Sequence, residues 1–209
     1  MMYEKCFKRL IDFIIALIIA PLVILIIIIM APIIFINDPG PIFYNGERRG
    51  RNGKTFKMFK FRSMYVNSPD IRNQDGSTFN SNNDPRVTKV GRFMRKTSID
   101  EVPQFLNVLI GDMSLIGPRP TLASVPYDEL TTDQKKRYQV RPGITGYSQA
   151  YFRNSIGNEE KLKNDCFYVD NVSLILDIKI FIQTAVSVLG HKNIYVSSDA
   201  KKNESKRNG

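Results

Sequence analysis

Residues 84–120 are the part of the chain most informative about chemistry. Asp100 and Glu101 stand side by side, with Arg92, Arg95 and Lys96 just upstream. Val102, Phe105, Leu106, Leu109 and Ile110 follow at i, i+3, i+4, i+7 and i+8, so the spacing predicts a short amphipathic helix starting near Asp100 and stopping at Gly111. Acidic residues at a helix start have two readings. Ser98-Ile99-Asp100-Glu101 matches a capping box, and the helix dipole favours carboxylates in the first turn. Pro103 weakens that reading, because from a cap at Ser98 it would fall where its missing N–H is needed; a start at Asp100 puts it within the first turn. Alternatively, the same dipole and the upstream cations keep Asp100 ionised as a nucleophile and draw phosphate groups toward it.

A carboxylate that attacks phosphorus is repelled by the phosphate charge, so cations must gather around it, as a metal ion or as Lys and Arg side chains. Lys60, Arg62, Arg95, Arg119 and Arg141 are the candidates. Gly117-Pro118-Arg119-Pro120 mounts an arginine between two prolines, an extended support for a bidentate grip on phosphate. Arg141-Pro142-Gly143-Ile144-Thr145-Gly146 repeats the idea, with glycines that could bring backbone N–H groups to an anion. Each stretch also reads as an ordinary tight turn. The single histidine, His191, sits near the polar tail, which argues against a histidine triad or a His-rich metal site. Cys6 and Cys166 are too few and too far apart for a disulfide framework or zinc ligands. Acid-base chemistry therefore falls to carboxylates or lysines.

The elements that must position these groups start with an uncharged run from Phe13 to Ile36, which as a helix would extend about 36 Å and could cross a bilayer. Pro21 in its middle predicts a kink, and Pro32 a second bend. Lys5, Lys8 and Arg9 precede the run, and Arg48, Arg49, Arg51, Lys54 and Lys57 follow it. Hydropathy favours a spanning helix, whereas basic flanks at both ends fit a segment that enters and leaves on the cytoplasmic side. Ile42–Tyr44 and 55–62 read as the arms of a hairpin about the turn 50–53, with Lys60 and Arg62 on one face. Residues 66–83 read as a polar loop, and 126–140 as a polar helix starting near Thr131 or Thr132. Lys161–Val169 predicts another helix, 174–189 a strongly apolar one suited to core or membrane surface, and 197–209 a disordered tail. The net charge of +10 calls for an anionic partner: nucleic acid, a phosphorylated substrate or acidic lipid.

The ordered series Lys-Arg-Leu-Ile-Asp-Phe before an apolar run with a central proline, Lys60-Phe61-Arg62-Ser63-Met64, Asp84-Pro85-Arg86-Val87-Thr88, Asp100-Glu101-x-Pro-Gln, Gly111-Asp112-Met113-Ser114, Gly117-Pro118-Arg119-Pro120 and Arg141-Pro142-Gly143-Ile144-Thr145-Gly146 resembles the bacterial sugar transferase family, the small monotopic phosphoglycosyl transferases. The resemblance implies an α+β fold. Residues 1–39 would form a re-entrant membrane helix broken at Pro21, and 40–196 a mostly helical catalytic part with a short hairpin and amphipathic interfacial helices. It further implies that Asp100, with Glu101 assisting and Mg2+ at Asp100, attacks the β-phosphorus of a UDP-sugar and releases UMP. Polyprenyl phosphate, undecaprenyl phosphate in bacteria, then takes the sugar phosphate in the first membrane step of glycoconjugate assembly. Lys60, Arg62, Arg95, Arg119 and Arg141 would hold nucleotide and phosphate. The expected place is the cytoplasmic face of the bacterial inner membrane, against phospholipid, with a homodimer allowed and no nucleic-acid partner. The chain departs from the family in having Ala20 where Ser often precedes the membrane proline. A membrane-anchored protein that recruits nucleic acid or acidic partners through its positive charge and an ordinary inverting glycosyltransferase are the competing readings; the missing Asp-x-Asp motif counts against the second, which would release UDP.

Overall fold

The computed structural model describes residues 3, 7–71, 79, 81, 83–153 and 155–189; the expected tail at 197–209, His191, Cys6 and much of the loop at 66–83 lie outside them. The first helix, α1 (Lys8–Asn37), runs for 30 residues with Pro21 and Pro32 inside it. Helical structure continues through both prolines, so the expected break does not appear as an interruption of the helix. The buried positions of α1 are Lys8, Asp12, Ala16, Val23, Met30 and Ile34, spaced by four or seven and hence on one face. The other faces are bare apolar surface, with Ile18, Ile28 and Ile36 more than 60% exposed. A core helix does not look like this; the chain is a membrane protein with α1 as its apolar segment.

An antiparallel hairpin forms about the expected turn, at Arg51–Gly53, but its first strand, β1, is Gly46–Arg49 and not Ile42–Tyr44, and its second, β2, is Thr55–Met58, stopping short of Lys60 and Arg62; beyond them only an isolated Phe43–Phe61 bridge pairs the two arms. Then come α2 (Lys89–Thr97), α3 (Gln104–Ile110) and β3 (Ser114–Ile116). After them lie α4 (Thr132–Lys136), β4 (Gly143–Thr145), α5 (Tyr147–Tyr151), α6 (Asn158–Asp170) and α7 (Leu174–Leu189). The 126–140 stretch is helical only in pieces: α4, capped by Thr131 and Gln134, between 3-10 turns at Tyr127–Glu129 and Arg137–Gln139. The helix expected at Lys161–Val169 is longer at both ends, and that at 174–189 is α7 itself. The described residues are thus mostly helical with two small two-stranded sheets.

Three apolar clusters hold these elements together. Ala16, Met58, Val108 and Met113 fasten the first half of α1 to the hairpin and α3. Met30, Ile34, Phe61 and Met94 fasten its second half to α2. Ile116, Val140, Ala150, Tyr168, Val172 and Ile180 pack α5, α6 and α7 around β3. Polar anchors fix both ends of α1. Asp12 accepts from the Ser114 hydroxyl at 2.7 Å and the Leu115 amide at 3.2 Å, and Asp38, just beyond the helix, pairs with Arg62 at 2.5 Å. On α7, Asp177 accepts from Lys8 at 2.6 Å and from Tyr3 and Tyr168 at 2.7 Å. That helix turns Asp177, Ile180 and Ser187 inward and leaves Ile175, Ile178, Phe181 and Ile182 exposed.

Candidate active site

Asp100 and Glu101 lie in a 3-10 turn, Ile99–Glu101, between α2 and α3. This corrects the expected helix start at Asp100: α3 begins at Gln104. Ser98 closes α2 in the left-handed conformation (φ 60°), donates its amide to the Arg95 carbonyl, and makes no side-chain cap, so the capping box does not form. Pro103 immediately precedes α3, where its missing N–H costs nothing. The turn joins the two clusters that hold α1, since α2 rests on one and α3 on the other.

The backbone brings the first cation to the pair. The Phe61 amide donates to the Asp100 carbonyl at 3.0 Å, which sets Lys60 beside the turn. Asn107 of α3, fully buried, keeps that strand end in place: its carboxamide accepts from the Phe59 amide and donates to the Lys57 carbonyl, each at 2.8 Å. The Lys60 ammonium then lies 2.8 Å from Asp100 Oδ2 and 3.3 Å from Glu101 Oε1. Arg119 supplies the second cation, 2.8 Å from the same Glu101 oxygen. The Asp100 side chain is buried, those of Lys60 and Glu101 are about four-fifths covered, and that of Arg119 is half exposed, so the group faces outward on the cationic side. Burial alone would raise the pKa of Glu101, but Arg119 and Lys60 outweigh it and bring the carboxyl down to about 2.

Arg119 owes its place to the pairing of the two proline-glycine stretches. The Gly117 amide donates to Thr145 and the Gly143 amide to Pro118, each at 2.9 Å, in register with the parallel β3–β4 pair. A Cβ on Gly143 would stand 2.1 Å from the Gly117 nitrogen, so only glycine permits this approach. The Gly143 amide is therefore engaged with Pro118 and does not cradle an anion, as the sequence suggested it could. Downstream, Arg49 ties this stretch to the hairpin through the Val125 carbonyl and by stacking near Tyr127 and Tyr138.

Lys60 and Arg119 of the five expected cations meet the carboxylate pair directly. Arg62 is held on Asp38, by its side chain and by its backbone carbonyl. Arg95 donates to the Ser63 hydroxyl at 3.0 Å, and Arg141 to the Gly111 carbonyl at 2.9 Å, at the end of α3. Sequence reasoning missed Asn107 and the buried ion pair of Asp84 with Arg86 at 2.7 Å. A polar residue inside the apolar run 102–110 was the one signal for Asn107.

The Bacterial sugar transferase family model matches residues 3–191. The chain is 42% identical over 188 residues to the uncharacterized sugar transferase EpsL of Bacillus subtilis, with 90% of this chain and 89% of EpsL aligned. It is 45% identical over 161 residues to the galactosyl transferase CpsE of Streptococcus agalactiae, covering 73% of this chain and 36% of that protein. It is 40% identical over 189 residues to the undecaprenyl-phosphate galactose phosphotransferase of Salmonella typhimurium, covering 82% and 40% respectively. The chain thus spans well under half the length of CpsE and the Salmonella protein and most of EpsL. Matched by the family model over residues 3–191 and 42% identical to a relative aligned over 90% of this chain, it belongs to the bacterial sugar transferase family.

Proposed function

We propose that the chain transfers a sugar 1-phosphate from a UDP-sugar to polyprenyl phosphate, releasing UMP, through a phosphosugar carried on Asp100. The observation that carries this reading is the Asp100–Lys60–Glu101–Arg119 group, two carboxylates balanced by two cations at 2.8–3.3 Å. In the first step an Asp100 carboxylate oxygen bonds to the β-phosphorus as the bond from that phosphorus to the oxygen bridging to the α-phosphorus breaks. UMP leaves with the electron pair. In the second step a phosphate oxygen of the polyprenyl carrier bonds to the same phosphorus and Asp100 leaves as a carboxylate. An acyl phosphate keeps its transfer potential while one substrate departs and a lipid arrives. Lys60 and Arg119 offset the charge of the diphosphate and of the departing UMP. Glu101, ionised down to about pH 2, serves as an acceptor that holds these cations and not as a proton donor at neutral pH.

Magnesium fits this donor set. Mg2+ is held by one or two carboxylates together with substrate phosphates and water, and the adjacent Asp100 and Glu101 would supply the carboxylates. Asp100 would hold it, with Glu101 beside it. When bound, the ion would neutralise charge on the diphosphate.

The names of relatives support the substrates: one is a UDP-glucose:undecaprenyl-phosphate glucose-1-phosphate transferase and another an undecaprenyl-phosphate galactose phosphotransferase. Residues 1–39 would enter and leave the membrane from one side, bending at Pro21, with 40–196 on the cytoplasmic face. Support comes from Asp12 and Asp38, which tie the two ends of α1 to the same folded unit. The outward apolar face of α7 would rest on the lipid surface. The experiment is UMP release from UDP-sugars by the chain in lipid nanodiscs containing undecaprenyl phosphate. Asp100→Asn is expected to abolish it, and a variant as active as the parent would remove Asp100 from the reaction.

A further inference from the structure

An open cleft of about 540 Å³, lined by Tyr44, Glu47, Arg48, Asp70 and the 122–124 stretch, shares no lining residue with the Asp100 group. Two connections attach it to the reacting centre. The Tyr44 amide donates to the Lys60 carbonyl at 2.8 Å, so the cleft's aromatic wall is one hydrogen bond from the lysine that contacts Asp100. Leu122 follows Arg119 by three residues, at most about 11 Å of chain. Gly46 lies between the two side chains, the Tyr44 ring 2.9 Å and the Arg48 guanidinium 3.1 Å from where a Cβ would stand.

The chemistry of the lining selects among the parts of a nucleotide-sugar. The lining has two carboxylates and one guanidinium, Asp70 also facing the Arg86 charge, so it lacks the excess of cations that a diphosphate needs and finds at Lys60 and Arg119. Carboxylates accept hydrogen bonds and cannot donate them. Uracil presents two carbonyl oxygens and a single N–H, a poor match for Glu47 and Asp70. A hexose presents several hydroxyl donors around a ring whose C–H face suits an exposed tyrosine.

Resting on the transferase reading above, we propose that this cleft is the glycosyl subsite. Glu47 and Asp70 accept from hydroxyls of a neutral hexose and Tyr44 covers a face of its ring. The same carboxylates disfavour a hexuronic acid, whose carboxylate would meet Glu47 and Asp70.

The test is UMP release by the full chain in nanodiscs with UDP-glucose, UDP-galactose, UDP-N-acetylglucosamine, UDP-N-acetylgalactosamine and UDP-glucuronic acid. Glu47→Gln, Asp70→Asn and Tyr44→Ala are each compared with the parent, and inhibition by added UMP is measured alongside. The expected result is a neutral hexose as best substrate and a kcat/KM for it about 10-fold or more lower in each variant. The order of preference among sugars should change, with the inhibition constant of UMP kept. Retained UMP inhibition also shows that a variant is folded. An active parent whose variants keep both kcat/KM and sugar preference would overturn the proposal alone. Variants that weaken UMP inhibition as much as turnover would assign the cleft to the nucleotide, and a preference for UDP-glucuronic acid would also overturn it. A parent that releases no UMP from any of the five would remove the transferase reading and the proposal together.

Discussion

Glu101 accepts from both Lys60 and Arg119, and these two cations more than reverse the effect of burying it. Its carboxyl is brought down to about 2 from an ordinary 4.5, so between those values the folded chain binds fewer protons than the unfolded one. The ion pairs therefore add stability that is complete above about pH 4.5 and is lost as the pH falls toward 2. Glu101→Gln removes the titration, and thermal unfolding followed from pH 5 to pH 2 should show a shallower loss of Tm than the parent. An unchanged slope would mean that the carboxylate is not paired in solution. At this scale the sequence marked the carboxylate pair and five candidate cations, because runs of Arg beside adjacent acids are visible without a fold. Which cation meets which carboxylate was not legible. Arg62, Arg95 and Arg141 reach Asp38, Ser63 and Gly111, partners 24, 32 and 30 residues away, and only tertiary packing chooses among such distant groups.

Among the elements, the turn carrying Asp100 is positioned by what precedes and follows it, and Asn107 is the joint. Truncating its side chain in Asn107→Ala leaves the Phe59 amide and Lys57 carbonyl without their partner inside the protein. The cost should be on the order of 2–4 kcal/mol, since each of the two part-buried groups left without its partner costs about 1–2. For a chain of this size that is a drop of about 5–15 °C in Tm, read by thermal unfolding in nanodiscs. A Tm within about 2 °C of the parent would mean that α3 does not hold the strand end. The hairpin's turn and α7 were legible because turn residues and apolar period are local signals, whereas the first strand lies four residues later than the apolar stretch Ile42–Tyr44 suggested. The start of α3 was not, because the left-handed Ser98 that ends α2 pre-empts it and α2 itself went unrecognised. The β3–β4 pair was hidden for a different reason: its strands are three residues each and its glycines serve a backbone contact between stretches 26 residues apart.

For the whole molecule, the uniform apolar run announced a membrane helix but not which face of it would pack. That face carries Lys8, Asp12 and Ala16 in its first half and the apolar Val23, Met30 and Ile34 in its second, and nothing in the uniform run distinguishes the last three from their exposed neighbours. Since anchors at both ends of α1 grip one folded unit, the two ends should lie on the same side of the membrane. Single cysteines at Glu4 and at Asn45, in a chain with Cys6 and Cys166 replaced by serine, should be blocked together by an impermeant thiol reagent in inside-out vesicles and spared together in intact cells. Opposite sidedness would make α1 a spanning helix.

A covalent bond between Asp100 and phosphorus is the claim on which the chemistry depends, and intact-protein mass spectrometry tests it directly. Incubated with its UDP-sugar and Mg2+ without lipid acceptor, the chain should gain the mass of one sugar phosphate. The added mass should map to the peptide holding Asp100, be absent in Asp100→Asn, and disappear when polyprenyl phosphate is supplied. UMP formed only when the acceptor is present, with no adduct at any stage, or an adduct mapping to another residue, would contradict it.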